Sequence, residues 1–376
     1  MKIGFDAKRA FCNHRGLGYY SRTLITSLVE KSKDSEFYLF TPKVHRDFEN
    51  FYKDHSLVKR VLPEKAVSRM LPSLWRSFGI GKASKDLKLD VFHGLSHEVP
   101  YGIKNYARKV VVTIHDLMFD IFPEHFKPID RITYRKKIAH AIKEADLILT
   151  ICENTKADLM RVFPETYKPI KVLYQAIDDE YFQEVSLESE VQKLDINYPF
   201  ILGVGALVEN KNHESLIKSF SKIKKEKPNL HLIIVGKGSE AQKESLRNLA
   251  KELKVFDSFH LYTDLKTKHL HYLYKQAELF IFPSLYEGFG LPIVEAMASG
   301  CPVITSMGSG HEEAAGGAAK IVNPKDCDEI ANSALEILSS EEKKRQYINL
   351  GLIQAQKFRS EKVSAELLDI YEGLFS

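Results

Sequence analysis

Short runs of β-branched and aromatic residues alternate with longer amphipathic segments along almost the whole chain, and this rhythm limits the fold more than any other feature. Ile3–Phe5, Phe37–Thr41, Val91–His93, Lys109–Ile114 and Leu147–Ile151 read as strands, and Leu17–Glu30, Leu71–Leu87, Asp130–Ala145 and Asn154–Phe163 as helices. A second series alternates strands at Phe200–Val204, Leu230–Val235, Ser258–Leu261, Leu279–Phe282 and Pro302–Thr305 with helices at Glu214–Lys225, Glu240–Leu253, Thr267–Gln276 and Pro292–Ser299. Apolar strands separated by helices make doubly wound parallel sheets. Residues 178–199, between the series, are acidic and weakly periodic and end at Tyr198-Pro199. The expected organisation is α/β with two Rossmann-like domains: 1–178, a linker at 179–199, and 200–355, with a C-terminal helix in 356–376 returning to the first domain. Such sheets bind ligands at the carboxyl ends of their strands, so a cleft between the two domains is the expected site.

The 376 residues exceed what one ordinary core organises. Lys and Arg number 54 against 50 acids, a net charge of +4, which argues against a dedicated nucleic-acid binder. No apolar run approaches the ~18 residues of a membrane span. Met1-Lys2-Ile3-Gly4-Phe5-Asp6 turns polar too early for a secretory signal. Cys12, Cys152, Cys301 and Cys327 lie far apart, so buried small hydrophobes in a reducing cytoplasm are the expectation.

The chemistry concentrates in Pro283-Ser284-Leu285-Tyr286-Glu287-Gly288-Phe289-Gly290-Leu291-Pro292-Ile293-Val294-Glu295-Ala296-Met297-Ala298-Ser299-Gly300. It follows an apolar strand. Pro292 suits the first helical position and Gly300 the residue after the last turn. Gly288 and Gly290 let the backbone approach a ligand, and the N–H groups of Gly290 and Leu291 favour a phosphate at a helix N-terminus. Two carboxylates beside an anion site, Glu287 and Glu295, make sense when the ligand also carries sugar hydroxyls. Otherwise Glu295 complements the helix dipole and Glu287 is a solvated loop residue.

Glu287-x7-Glu295 within Glu-Gly-Phe-Gly-Leu-Pro-…-Glu-Ala-Met-Ala-x-Gly resembles the signature of the family 4 glycosyltransferases, which have the GT-B fold of two facing Rossmann-like domains. The resemblance covers nearly all of the chain and is strongest from about 200 to 325. It implies that Glu287 binds donor-sugar hydroxyls, that Glu295 binds the ribose, and that the backbone of Gly288, Phe289, Gly290 and Leu291 holds sugar and distal phosphate. A second element agrees with the resemblance: Gly203-Val204-Gly205-Ala206-Leu207-Val208-Glu209-Asn210-Lys211-Asn212 lies at a strand end where the family places an arginine and a lysine to clamp the diphosphate, and Lys211 matches the lysine. Ala206 stands where an arginine is common, so one charge-assisted contact is missing; Arg15 is a candidate replacement. Arg15-Gly16-Leu17-Gly18-Tyr19-Tyr20 resembles the glycine-rich loop facing diphosphate and acceptor. Gly236-Lys237-Gly238 resembles the turn near the base.

His115-Asp116 with Phe122-Pro123-Glu124 resembles a mannosyltransferase-like branch, which implies that His115 contacts the transferred sugar and that Asp116 orients that site or touches the acceptor. A satisfied core histidine is the alternative for His115, and more strongly for His93. In Ser309-Gly310-His311-Glu312-Glu313, Glu313 fits the register of a family glutamate near the donor sugar, and His311 replaces a commoner proline.

Ser21 occupies the third glycine position of a Gly-x-Gly-x-x-Gly, which sets aside a dinucleotide fingerprint. Asp326-Cys327-Asp328 follows Pro324 and begins a helix, so capping explains it and no metal is expected there or elsewhere. No cofactor is expected beyond a nucleotide diphosphate sugar as co-substrate, with a glycan or lipid-linked acceptor and no nucleic-acid partner. GDP-mannose leads UDP-hexoses as donor. A phosphorylase or epimerase on the same fold, or a non-catalytic sugar-nucleotide binder, are the rival classes. Residues 59–88 hold Lys59, Arg60, Lys65, Arg69, Arg76, Lys82, Lys85 and Lys88 against Glu64 and Asp86, with Leu71, Leu74, Trp75 and Phe78 interleaved. This pattern suits either a helix with its apolar side in the core or peripheral contact with anionic membrane, at the inner face if the chain is cytoplasmic.

Overall fold

The computed structural model describes residues 1–14, 16–64, 71–184, 194, 196–263, 265 and 267–376. The chain forms two compact units, Met1–Ala176 with Ser360–Ser376, and Ile177–Arg359. The chain passes between the units after Ala176 and after Arg359, where the sequence reading had put the domain ends at 178 and 355. Asp179–Phe182, read as linker, is a 3-10 turn of the second unit.

The first unit holds strands β1 (Lys2–Asp6), β2 (Glu36–Phe40), β3 (Val58–Val61), β4 (Leu89–Gly94), β5 (Ala107–Ile114), β6 (Leu147–Thr150) and β7 (Ile170–Val172). They pair in parallel in the order β3-β2-β1-β4-β5-β6-β7. The second unit holds β8 (Phe200–Val204), β9 (His231–Val235), β10 (Phe259–Tyr262), β11 (Leu279–Phe282), β12 (Val303–Ser306) and β13 (Lys320–Val322), parallel in the order β10-β9-β8-β11-β12-β13. Strand order reverses between β1 and β4, and again between β8 and β11, which opens a crevice at the carboxyl ends of each pair. The edge strands β3, β7 and β13 escaped the sequence reading because they are short and only partly buried, with a Lys or Arg in each.

Strand alternation sends alternate side chains to opposite faces. In the first unit Ile3, Phe5, Val91 and Val111 form one core with the helix Gly16–Lys31 and the C-terminal helix Ser360–Glu372. Phe40, Phe92, Val110, Val112 and Ile148 form the core of the opposite face. In the second unit Ile201, Leu232, Ile234 and Ile281 pack against the helices His213–Glu226 and Cys327–Leu338. Helix starts follow local capping. Ser239 and Gln242 close a capping box ahead of Glu240–Glu252. Asp326 Oδ1 accepts the N–H groups of Asp328 and Glu329, so the Asp-x-Asp is a helix cap.

The stretch read as one helix over Leu71–Leu87 is broken. Pro72–Leu74 and Ile80–Ala83 are α-helical and Trp75–Gly79 is a wide π turn. A Cβ on Gly79 would lie 2.4 Å from the Trp75 indole, so glycine lets the ring fold under the turn. Trp75 and Arg76 are buried while Leu71, Leu74 and Phe78 are about half exposed. Arg76, counted in the sequence as part of a basic face, is therefore interior. Lys65 and Arg69 lie outside the described residues.

Candidate active site

In the second unit the turns after β8 and β11 are stitched to each other. Leu285 N–H donates to Asn210 O at 2.7 Å. Asn212 Nδ2 donates to Pro283 O at 3.0 Å and Pro324 O at 2.7 Å. This stitching brings together the two residues that the sequence assigned to different parts of the donor: Lys211 Nζ pairs with Glu287 Oε1. Both side chains are mostly buried, 19% and 15% exposed, and Ser284 Oγ donates to the same carboxylate at 2.7 Å. The ammonium also lies 5.4 Å from the centroid of Phe282, which ends β11.

Gly205 has φ +156°, and a Cβ there would press on the Lys211 stem at 3.2 Å, so glycine leaves room for that side chain. Gly290, φ +107°, is the N-cap of the helix Leu291–Ala298, with no side chain capping it. Pro292 is the second helical residue, one later than read from the sequence. The first N–H groups of this helix are available to an anion. Phe289 turns its ring inward, 2% exposed and 5.3 Å from Phe358, which leaves only its backbone for a ligand.

Glu295 sits in the same helix. Tyr274 OH donates to its Oε2 at 3.0 Å. Burial pushes its carboxyl up to about 7, the Tyr274 hydrogen bond opposing and Asp178 adding to the rise. Tyr274 is fully buried and was not singled out in the sequence; its only signal was an aromatic on the inner side of an amphipathic helix.

Glu313 lies in the helix Gly310–Ala315, half-buried. His311, on the same helix, is buried against Phe282 at 5.8 Å. Its Nδ1 lies 2.7 Å from Ser309 Oγ, which accepts the Glu287 N–H at 3.2 Å. Gly236 is required by packing, since a Cβ would meet Gly205 O at 1.8 Å. A cleft of about 510 Å³ in this unit is lined by Leu207, His213, Gln242 and Lys325 among others. Lys211, Glu287 and Glu295 do not line it, so the strand-end groups carry the assignment.

The first unit places its candidates differently. His115 follows β5 and is 3% exposed. Its Nε2–H donates to Leu95 O at 2.8 Å and its Nδ1 accepts from Gln175 at 2.9 Å. Both nitrogens are occupied, and burial with His97 beside it pushes the imidazole down to about 3. His115 is thus a neutral, internally bonded histidine, and a sugar contact would require Leu95 O or Gln175 to give way. Asp116 Oδ1 accepts the Met118 N–H at 3.1 Å. His93 is a satisfied core residue, 2.6 Å from Tyr371 OH and 2.7 Å from Thr113 Oγ1. Gly16 opens the helix Gly16–Lys31. A Cβ on Gly18 would lie 1.8 Å from Asn13 O, so glycine is demanded by the fold itself there. Arg15 lies outside the described residues.

The sequence showed no cluster with metal-ligand spacing, but folding assembles one. His14, His45 and Asp47, all exposed, bring ligand atoms within 4.8 Å of one another in the first unit. His14 directly precedes the loop at 15–18 that the resemblance turns towards the diphosphate, whereas Lys211, Glu287 and Glu295 are distant from the cluster in sequence.

The family model described as Glycosyl transferases group 1 matches residues 186–351, and that described as Glycosyltransferase Family 4 matches residues 14–181. The chain is 25% identical over 386 residues to the O-antigen chain mannosyltransferase B of Escherichia coli, covering 100% of both. It is 26% identical to the O-antigen chain mannosyltransferase RfbU of Salmonella typhimurium, covering 83% of this chain and 84% of that one. Among solved structures, HepE of Anabaena in complex with UDP and glucose matches with a TM-score of 0.76 at 17% identity, over 99% of this chain and 100% of that one.

Proposed function

Because the chain belongs to the family 4 glycosyltransferases, its two matched regions together spanning 14–181 and 186–351, we propose that it moves a hexose from a nucleoside diphosphate to a glycan or lipid-linked acceptor with retention at the anomeric carbon. It is a glycosyltransferase of the mannosyltransferase type with two parallel-sheet α/β units of the GT-B kind. GDP-mannose is the first donor to test and UDP-hexoses the next.

The observation that carries the donor half is the Lys211–Glu287 pair just ahead of an uncapped helix N-terminus. Lys211 and the N–H groups of Gly290 and Leu291 stabilise the departing diphosphate where its charge develops. Glu287 accepts hydroxyls of the sugar and, as a carboxylate close to the reacting ring, favours its cationic transition state. Glu295 accepts the ribose hydroxyls. Glu287 is bound by Lys211 and Ser284, which suits a positioning and electrostatic role better than a covalent nucleophile. Front-face attack by the acceptor is the retaining route consistent with that. A screen for GDP or UDP release over a panel of nucleotide sugars tests the assignment. Release from none of them, with acceptors supplied, would overturn it.

With the leaving charge met by Lys211 and backbone N–H groups, turnover is proposed to be independent of divalent metal. EDTA should leave kcat unchanged. Loss of turnover in EDTA with recovery in Mn²⁺ would exclude this arrangement.

Action at the inner face of a membrane is proposed from the exposed side of the Pro72–Ala83 segment. Leu71, Leu74 and Phe78 are 48%, 53% and 54% exposed, and exposed Lys82, Lys85 and Lys88 follow them. Apolar wedges flanked by lysines suit an anionic bilayer. No helix among the described residues is long and apolar enough to cross one. The chain should float with phosphatidylglycerol vesicles at low salt, and Leu74→Ser with Phe78→Ser should abolish it. Absence of salt-sensitive flotation in the unaltered chain would remove this face from consideration.

A further inference from the structure

The first unit has its own switch point, between β1 and β4, and polar groups that the donor chemistry leaves unused gather there. Lys8 and Arg9 follow β1, and Ser96, His97 and Glu98 follow β4. Arg76 enters from the π turn. We propose that this crevice binds a phosphoryl dianion carried by the acceptor, held by Arg9, Arg76, Ser96 and His97. The inference rests on the glycosyltransferase reading and names the chemistry of its acceptor.

The hydrogen bonds show what the crevice lacks. Arg76 Nε donates to Asp6 Oδ2 at 2.5 Å, and its Nη1 to Glu98 Oε2 at 2.9 Å. Glu98 Oε1 is taken by Lys137 at 3.2 Å. Both carboxylates are thereby engaged. Donors remain: Arg76 Nη2, Arg9 Nε and Ser96 Oγ are buried without a partner, and so is His97 Nδ1. Arg76 is 5% exposed and Ser96 2%, so bulk solvent does not reach them. Each such orphan costs about 1–3 kcal/mol, and a fold tolerates several together where a ligand completes them.

Charge selects the ligand. Lys8, Arg9, Arg76 and Lys137 are four cations against the carboxylates Asp6 and Glu98 and, beside the neighbouring His115, Asp116, so positive charge is in excess. Burial, then Arg76 and Arg9, hold the Lys8 ammonium below its ordinary range, as expected beside unbalanced cations. His97 is neutral at pH 7, its imidazole pushed to about 4 by burial and Arg9. A neutral sugar would need free acceptors for its hydroxyl protons, and the carboxylates are occupied. Phosphoryl oxygens offer acceptors alone and match arginine forks. The backbone agrees: His97 is held at φ +60°, its N–H donating to Thr113 O at 2.9 Å. A left-handed non-glycine residue is strain of the kind stored at binding sites.

The test is calorimetric titration of the full chain, first saturated with GDP or UDP so that the Lys211 site is filled. The probes are inorganic pyrophosphate, farnesyl diphosphate and mannose 6-phosphate. Arg9→Gln and His97→Asn are the variants. Neither strips a carboxylate of its cation, as Arg76→Met would, and asparagine tolerates the left-handed backbone. The nucleotide-loaded chain should bind pyrophosphate, and Arg9→Gln should weaken it at least about tenfold with nucleotide affinity unchanged. His97→Asn should weaken it less. A preference for farnesyl diphosphate identifies a lipid-linked source, and for mannose 6-phosphate a soluble one. If the loaded chain binds none of the probes, or if both variants bind them as the unaltered chain does, the proposal is overturned. If no nucleotide binds, the donor reading fails by itself, and the Arg9 comparison still reads this crevice.

Discussion

Lys211→Met should lower kcat by about 100- to 1000-fold, the largest single effect expected in this protein. Removing one preorganised donor from a developing oxyanion costs that much where the donor is fixed in advance. Lys211 is fixed: its stem lies against Gly205, its ammonium pairs with Glu287 and it neighbours the Phe282 ring. The substitution also leaves Glu287 without its cation beside an incoming diphosphate, so like charges meet in the same turn. Glu287→Gln should cost less, about 10- to 150-fold in kcat, because the diphosphate itself then balances Lys211. The two groups act through one contact, so the double variant should be far less impaired than the product of the singles. Steady-state kinetics with the best nucleotide sugar measure all three. Full kcat in Lys211→Met, or strictly multiplicative losses in the double variant, would mean that the pair does not act on the leaving group.

Glu295→Gln should weaken nucleotide-sugar binding by about 10- to 150-fold while sparing kcat, since the ribose lies away from the reacting carbon and its contact is equal in ground and transition states. Burial adds a pH signature. The folded carboxyl titrates near 7, raised from 4.5, so the folded state holds this proton more tightly than the unfolded chain. That stabilisation is complete below about 4.5 and is lost as pH rises through about 7. Glutamine imitates the protonated form. The variant should therefore melt higher than the unaltered chain at pH 8, by at most roughly 3 kcal/mol in stability, and alike at pH 4.5. Ribose hydroxyls donate to the ionised form, so binding releases a proton. Affinity of the unaltered chain should rise between pH 6 and 8, and that of Glu295→Gln should stay flat. Nucleotide sugars carry no phosphate proton in this range, so the slope belongs to the protein. Unchanged affinity in the variant, or an affinity that falls with pH, would remove Glu295 from the ribose.

The donor turn was legible because its signals are local. A strand, a glycine suited to close backbone approach, a proline in the first helical turn and carboxylates at fixed offsets are each set within a few residues, so Glu287 and Glu295 could be singled out from the string, while Lys211 and the roles expected of all three came from the family resemblance. The pairing of Lys211 with Glu287 was not legible. Lys211 and Glu287 are 76 positions apart, and only the stitching of the β8 and β11 turns by Asn210 and Asn212 brings them into contact. Tyr274, which orients Glu295, looked like any core aromatic.

By itself the sequence determined the two α/β series with their central strands and singled out the candidate donor turn, because hydrophobic period, capping and turn chemistry act over short separations. The short edge strands β3, β7 and β13 and the π turn at Trp75–Gly79 were not legible in it. Tertiary structure alone decided which charges are buried and which histidines are occupied. Arg76 reads as one more lysine-like cation on a basic stretch until folding sets it against Asp6, 70 positions away. His93 and His115 read alike at strand ends. Folding gives His93 the hydroxyl of Tyr371, 278 positions away, and gives His115 Leu95 O and Gln175. Hydrogen bonds and ion pairs between segments depend on where the chain returns in space, and no local pattern encodes that return.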